Sequence, residues 1–102
     1  MRESKLEKKV KDFAKTNGIR TFKMEGSSDA GKPDRLFIYK GRCCFIEFKG
    51  TNTVIQPKQI WYCNKLNRKG TPAIISSDYD ECVEFLLKLI NNNYGIHRNN
   101  NK

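Results

Sequence analysis

Apolar residues open this chain with a helical rhythm. Leu6, Val10, Phe13 and Ala14 share one face, with lysines on the other. The spacing predicts a helix over Glu3 to Thr16, ended by Asn17-Gly18. From Arg20 to Glu25 the period changes to that of a strand, with Thr21 and Lys23 alternating with Phe22 and Met24. The segment GSSDAGKP is a flexible loop by composition. Two further strands, Asp34 to Tyr39 and Arg42 to Lys49, are joined by a two-residue hairpin loop at Lys40-Gly41. After a second loop, GTNTVIQP, Pro57 suits the first turn of a helix, with Gln56 ahead of it. That helix is expected to carry Ile60, Cys63 and Leu66 inward and to end near Gly70. Ala73 to Ser76 reads as a short buried strand, and Asp78 with Glu81 as a capping box for the last helix. Cys82, Phe85, Leu86, Leu89 and Ile90 form its apolar stripe, and from Asn91 onward the chain is polar. The order α-β-β-β-α-β-α predicts an α/β fold, a mixed sheet with helices on its faces.

A chain of 102 residues without internal repeats is expected to form one domain. Its net charge of +9 favours a polyanionic partner, with nucleic acid first and a membrane surface second. No apolar run is long enough to span a bilayer, and MRESKLEKKV lacks the apolar segment of a secretory signal. Cys43, Cys44, Cys63 and Cys82 show neither CxxC nor Cys–His zinc spacing, so they read as reduced thiols in a cytoplasmic protein. Trp61, Tyr62 and the stripe of the last helix read as core packing in preference to a dimer surface. The lone His97 is given no role.

The second hairpin strand, RCCFIEFK, carries charge where apolar residues are expected. Alternation puts Glu47 and Lys49 on one face and Ile46 and Phe48 on the other. If Tyr39 pairs with Arg42, counting back sets Asp34 opposite Glu47 on that same face, and a one-residue slip would remove it. Two carboxylates so placed repel unless something positive lies between them, and a hard divalent cation would resolve this. Lys49 is then placed to orient a metal-activated water or hold charge on a phosphate, which makes a metal-assisted phosphodiester hydrolysis site. The competing reading is a surface ion-pair ladder on a solvated sheet face. Glu7 lies at the edge of the first helix's stripe, to reach the metal or to pair with Lys11. Gln59 lies on the Cys63 side of its helix, to satisfy a backbone group or to hold a scissile phosphate or Lys49.

GKPDR, FIEFKG and the downstream Gln59 with Trp61 and Leu66 resemble the PD-(D/E)xK nuclease superfamily. More closely they resemble its VRR-NUC (virus-type replication–repair nuclease) domains. The family's G-x-P-D-R matches Gly31 to Arg35, its E-x-K-G matches Glu47 to Gly50, and its first-helix glutamate is best matched by Glu7, with Glu3 a weaker register. Thr51 and Gln56 stand where family members often have Pro and Ser. The resemblance covers about Ser4 to Ser77 and implies a restriction-endonuclease-like core; the single domain is expected over residues 1–93, with 94–102 a polar, disordered tail by composition. It also implies Mg²⁺ or Mn²⁺ held by Glu7, Asp34, Glu47 and the backbone carbonyl of Phe48. Lys49 would orient the attacking water, assisted by Gln59. Standalone domains of this size, typical of phages, resemble homodimeric junction-resolving endonucleases, active on branched DNA such as Holliday junctions and located in the host cytoplasm. No helix is studded with Arg, Asn and Gln for major-groove reading, which favours structure-selective cutting. A general or sequence-specific nuclease and a non-catalytic nucleic-acid-binding module are the alternatives.

Overall fold

Lys40 and Gly41 both take positive φ, 48° and 80°, and reverse the chain in two residues. That turn matches the right-handed twist of the strands it joins. In the computed structural model, which describes residues 1–25 and 30–94, Tyr39 then pairs with Arg42 as the sequence predicts. The elements are α1 (Glu3–Thr16), β1 (Arg20–Lys23), β2 (Arg35–Tyr39), β3 (Arg42–Phe48), α2 (Pro57–Arg68), β4 (Ala73–Ser76) and α3 (Tyr79–Asn91). The strands form one sheet in the order β1-β2-β3-β4, antiparallel except for the parallel pair β3 and β4. A parallel pair needs a crossover, and α2 supplies it.

The core lies on one face of the sheet. Leu6, Val10 and Ala14 of α1 and Cys82, Phe85, Leu86 and Leu89 of α3 pack there against Phe37, Cys44, Ile46 and Phe48. Glu47 and Lys49 point the other way by strand alternation. Several devices fix the helices. Asp78 caps α3 by accepting the Glu81 N–H at 2.9 Å. The return arm of the capping box is rerouted: the Ser76 hydroxyl donates to the Glu81 carboxylate and accepts the Asp78 N–H. At the other end of α3, the Arg42 guanidinium donates to the carbonyls of Leu89 and Ile90, at 3.0 and 2.8 Å. It satisfies acceptors that a helix end leaves open.

Two expectations for α2 are corrected. Ile60 was placed inward and Trp61 in the core, yet they are 46% and 54% exposed. The helix is phased by polar partners instead. The Gln59 amide donates to Glu47 on the sheet, the Cys63 thiol to the Ala73 carbonyl, and Asn67 bonds both the N–H and the carbonyl of Ala73. Residues 59, 63 and 67 recur four apart on the sheet-facing side, which rotates Trp61 away from it. No residue of α2 is fully buried.

Tyr94, expected to begin the polar tail, packs on Phe85 with ring centroids 5.0 Å apart and donates to its carbonyl at 2.8 Å. The rest of that tail, His97 included, and residues 26–29 of the first loop lie outside the described residues. The cysteines are unpaired, with Cys43 exposed and Cys44 buried, as neighbours on a strand must be when one face is core. Among the described residues no helix is long and apolar enough to cross a membrane.

Candidate active site

Asp34 sits immediately before β2. The register Arg35↔Ile46, carried one step outward, brings it opposite Glu47. Its Oδ2 accepts the Phe48 N–H at 2.8 Å, and its carbonyl accepts the Met24 N–H at 2.8 Å, so backbone on both neighbouring strands holds it. Glu47 lies in β3, between β2 and β4, and is 6% exposed. Its Oε2 accepts from Gln59 Nε2 at 2.8 Å. The other end of that amide, Oε1, accepts the Gln56 N–H at the start of α2, at 2.9 Å. A backbone N–H can only donate and a carboxylate prefers to accept, so the amide has one consistent orientation. Gln59 thus does satisfy a backbone group, but it also braces Glu47, a partner the sequence reading missed. The signal was present: Gln59 stands at the capping-box position after Gln56.

Lys49 follows β3, its N–H donating to the Ser76 carbonyl at 2.9 Å. The side chain is 8% exposed, and among the described residues its ammonium has no hydrogen bond or ion pair. It lies close enough to Asp34 and Glu47 to favour the charged form of both. Burial nevertheless pushes the Asp34 carboxyl above its usual range, against the Phe48 N–H. The Glu47 carboxyl is pushed up to about 8, first by burial and then by the Asp34 charge. Burial is the main cause at both, and at Glu47 a like charge adds to it. The surface-ladder reading does not survive it, because Glu47 and Lys49 are buried rather than solvated.

Glu7 pairs with neither Lys11 nor the sheet carboxylates. Its Oε2 accepts from Lys23 Nζ at 2.9 Å and from Arg35 Nε at 2.8 Å. Burial pushes its carboxyl up, but the two cations together hold it below the usual range. Its charge is still felt at Asp34, while that of Glu3, at the start of α1, is felt at Glu47. Gly50 permits this proximity: a Cβ there would lie 3.3 Å from the Glu3 nitrogen and 3.1 Å from Thr53 Oγ1.

Among the described residues, no group of three His, Cys, Asp or Glu side chains forms a ready-made metal cage. The donor chemistry still suits a hard cation. Magnesium commonly uses one or two carboxylates and completes its shell with waters and substrate phosphates. Asp34 and Glu47 each commit one oxygen to a protein donor, and a carboxylate has capacity beyond that. A dication held there would favour the charged forms that burial opposes at both carboxyls and that the Asp34 charge opposes at Glu47.

No protein-family model matches the sequence, and no curated protein matches it. Among solved structures, one described as "VRR_NUC domain" superposes with a TM-score of 0.73 at 22% identity, covering 83% of this chain and 94% of that one. A second, "VRR_NUC domain protein", gives a TM-score of 0.71 at 19% identity, covering 89% of each chain. The chain therefore has the VRR_NUC domain fold.

Proposed function

We propose that this protein is a Mg²⁺- or Mn²⁺-dependent DNA endonuclease that cuts branched DNA, such as Holliday junctions, as a homodimer. The observation that carries this is the pairing of half-buried Asp34 with buried Glu47, beside a buried lysine that has no hydrogen bond or ion pair among the described residues, on a fold shared with VRR_NUC domains. Asp34, Glu47 and the Phe48 carbonyl would hold the metal, with Glu7 or Glu3 of α1 as the further carboxylate. When bound, the metal would acidify a water and draw charge from the scissile phosphate. Lys49 would orient the attacking water and stabilise the charge that grows on the phosphate oxygens. Gln59 holds Glu47 in one rotamer, so the carboxylate needs no reorganisation when substrate arrives.

The charge distribution supports nucleic acid as substrate. A groove along α1 and β1 is lined by Lys11, Lys15, Arg20, Lys23 and Arg35, and Arg35 adjoins Asp34 in sequence. Such a row suits phosphates rather than base edges. Two symmetric incisions at a four-way junction are the task of a two-fold pair of sites, which is the reason for a dimer.

The test is cleavage of labelled four-way junction, flap, duplex and single-stranded DNA with Mg²⁺, Mn²⁺ or EDTA. Metal-dependent nicking of the branched substrates first is expected. Equal cutting of plain duplex would replace this reading with a general nuclease. Tight DNA binding without cutting under any metal would replace it with a binding module.

A further inference from the structure

We propose that the outer groove of α2 binds an unpaired nucleotide of the DNA substrate, with the Trp61 indole as the stacking surface for its base. The groove, of about 410 Å³, is lined by Ala30, Lys58, Trp61, Tyr62, Lys65, Leu66 and Lys69. Among the described residues, three cations and two aromatic rings line it, and no carboxylate does. Trp61 is 54% exposed, so much of the indole is open to a ligand. The ring is held ready: Tyr62 meets it edge-on at 6.0 Å, and Lys65 Nζ lies 4.9 Å from its centroid. An aromatic plate flanked by ammonium groups is what single-strand binding uses, stacking any base while cations follow the backbone.

The groove is joined to the candidate active site twice. Gln59, which braces Glu47, stands two residues before Trp61 on the same helix. The segment leading to Asp34 also rests on that helix: a Cβ on Gly31 would come within 2.7 Å of the Lys58 carbonyl oxygen. A strand seated on Trp61 thus lies on the element that sets Glu47 and abuts the one that carries Asp34. Flaps and opened branch points offer unpaired nucleotides and plain duplex does not, so the groove would supply the structure preference. The inference rests on the nuclease reading for the identity of that strand.

Trp61 is the only tryptophan of the chain, so its emission reports on this groove alone. The full chain, in EDTA so that nothing is cut, is titrated with a short oligo(dT) and with a blunt duplex of equal length. The oligonucleotide is expected to quench emission and the duplex is not. By anisotropy, Trp61→Ala should weaken oligonucleotide binding roughly 5- to 100-fold while Trp61→Phe largely restores it. Combined Lys58→Gln, Lys65→Gln and Lys69→Gln should flatten its salt dependence. Binding with unchanged emission, or with Trp61→Ala as tight as the parent, would overturn the proposal. So would a light-scattering mass that falls from dimer to monomer in Trp61→Ala, which would assign the face to a second copy. Quenching by a protein that cuts nothing with metal would sink the nuclease reading alone. Branched-DNA cutting by Trp61→Ala at the parent's rate and preference would sink the groove alone.

Discussion

A carboxylate enclosed in a sheet needs help to stay charged. Glu47 receives it from a Gln59 amide proton and the nearby Lys49 ammonium, yet its carboxyl still sits at about 8 against an ordinary 4.5. The sign of the consequence follows from linkage. A group whose folded-state value is raised favours the fold fully below its unfolded value and loses that contribution as pH climbs through the folded one. Metal-free protein should therefore lose stability between its ordinary value of 4.5 and about 8, with Asp34 shifted in the same direction. Thermal melts in EDTA across that window should fall with rising pH, and Glu47→Gln should flatten the slope. A parent profile as flat as the variant's would contradict the electrostatics. Lys49 makes the complementary case. Its ammonium is buried without a hydrogen-bonding partner among the described residues, and the proposed mechanism directs it to substrate. Lys49→Ala should slow single-turnover cleavage roughly 10²- to 10³-fold, as loss of one preorganised charge-stabilising donor does. Unchanged turnover would remove it from the chemistry.

Elements carry these residues, and how far they were legible depended on what fixes each one. The hairpin was fully readable. Alternation assigned the faces, and the Lys40-Gly41 turn fixed the register that aligns Asp34 with Glu47. The last helix was readable too, because its stripe is apolar and its cap local. Helix α2 was readable as a helix but not in its phase, since its rotation is set by Glu47 and Ala73, distant in sequence. The partners of Glu7, Lys23 and Arg35, were hidden for the same reason: they lie on strands that meet α1 only in the folded chain. The loop before β2 supplies a test at this scale. Gly31 has φ +87° and its missing Cβ would strike the Lys58 backbone, whereas Gly41, at φ +80°, faces open space. Gly41→Ala should cost only the backbone strain, about 1–3 kcal/mol. Gly31→Ala should cost more and should also impair cleavage, since either the Asp34 segment or α2 must shift. Equal melting temperatures and equal activity for the two variants would disconnect the loop from the site.

The whole molecule is a small basic sheet with the carboxylate pair at one end of the hairpin and cations lining two separate grooves. The charge was evident in composition; its division between an α1 groove and an α2 groove was not, because only folding brings those lysines together. If the five cations of the α1 groove follow phosphates, the log–log salt slope for intact junction should be about −4. Each Lys→Gln change there should reduce it by about one. A slope near zero would mean that this surface does not track a backbone. The nuclease reading depends on a dication that the two sheet carboxylates would hold. Crystals soaked in manganese and measured at its absorption edge address that directly. An anomalous peak between Asp34 and Glu47, lost in Asp34→Ala crystals soaked alike, is the expected result. Manganese bound elsewhere, with no peak between those carboxylates, would contradict it.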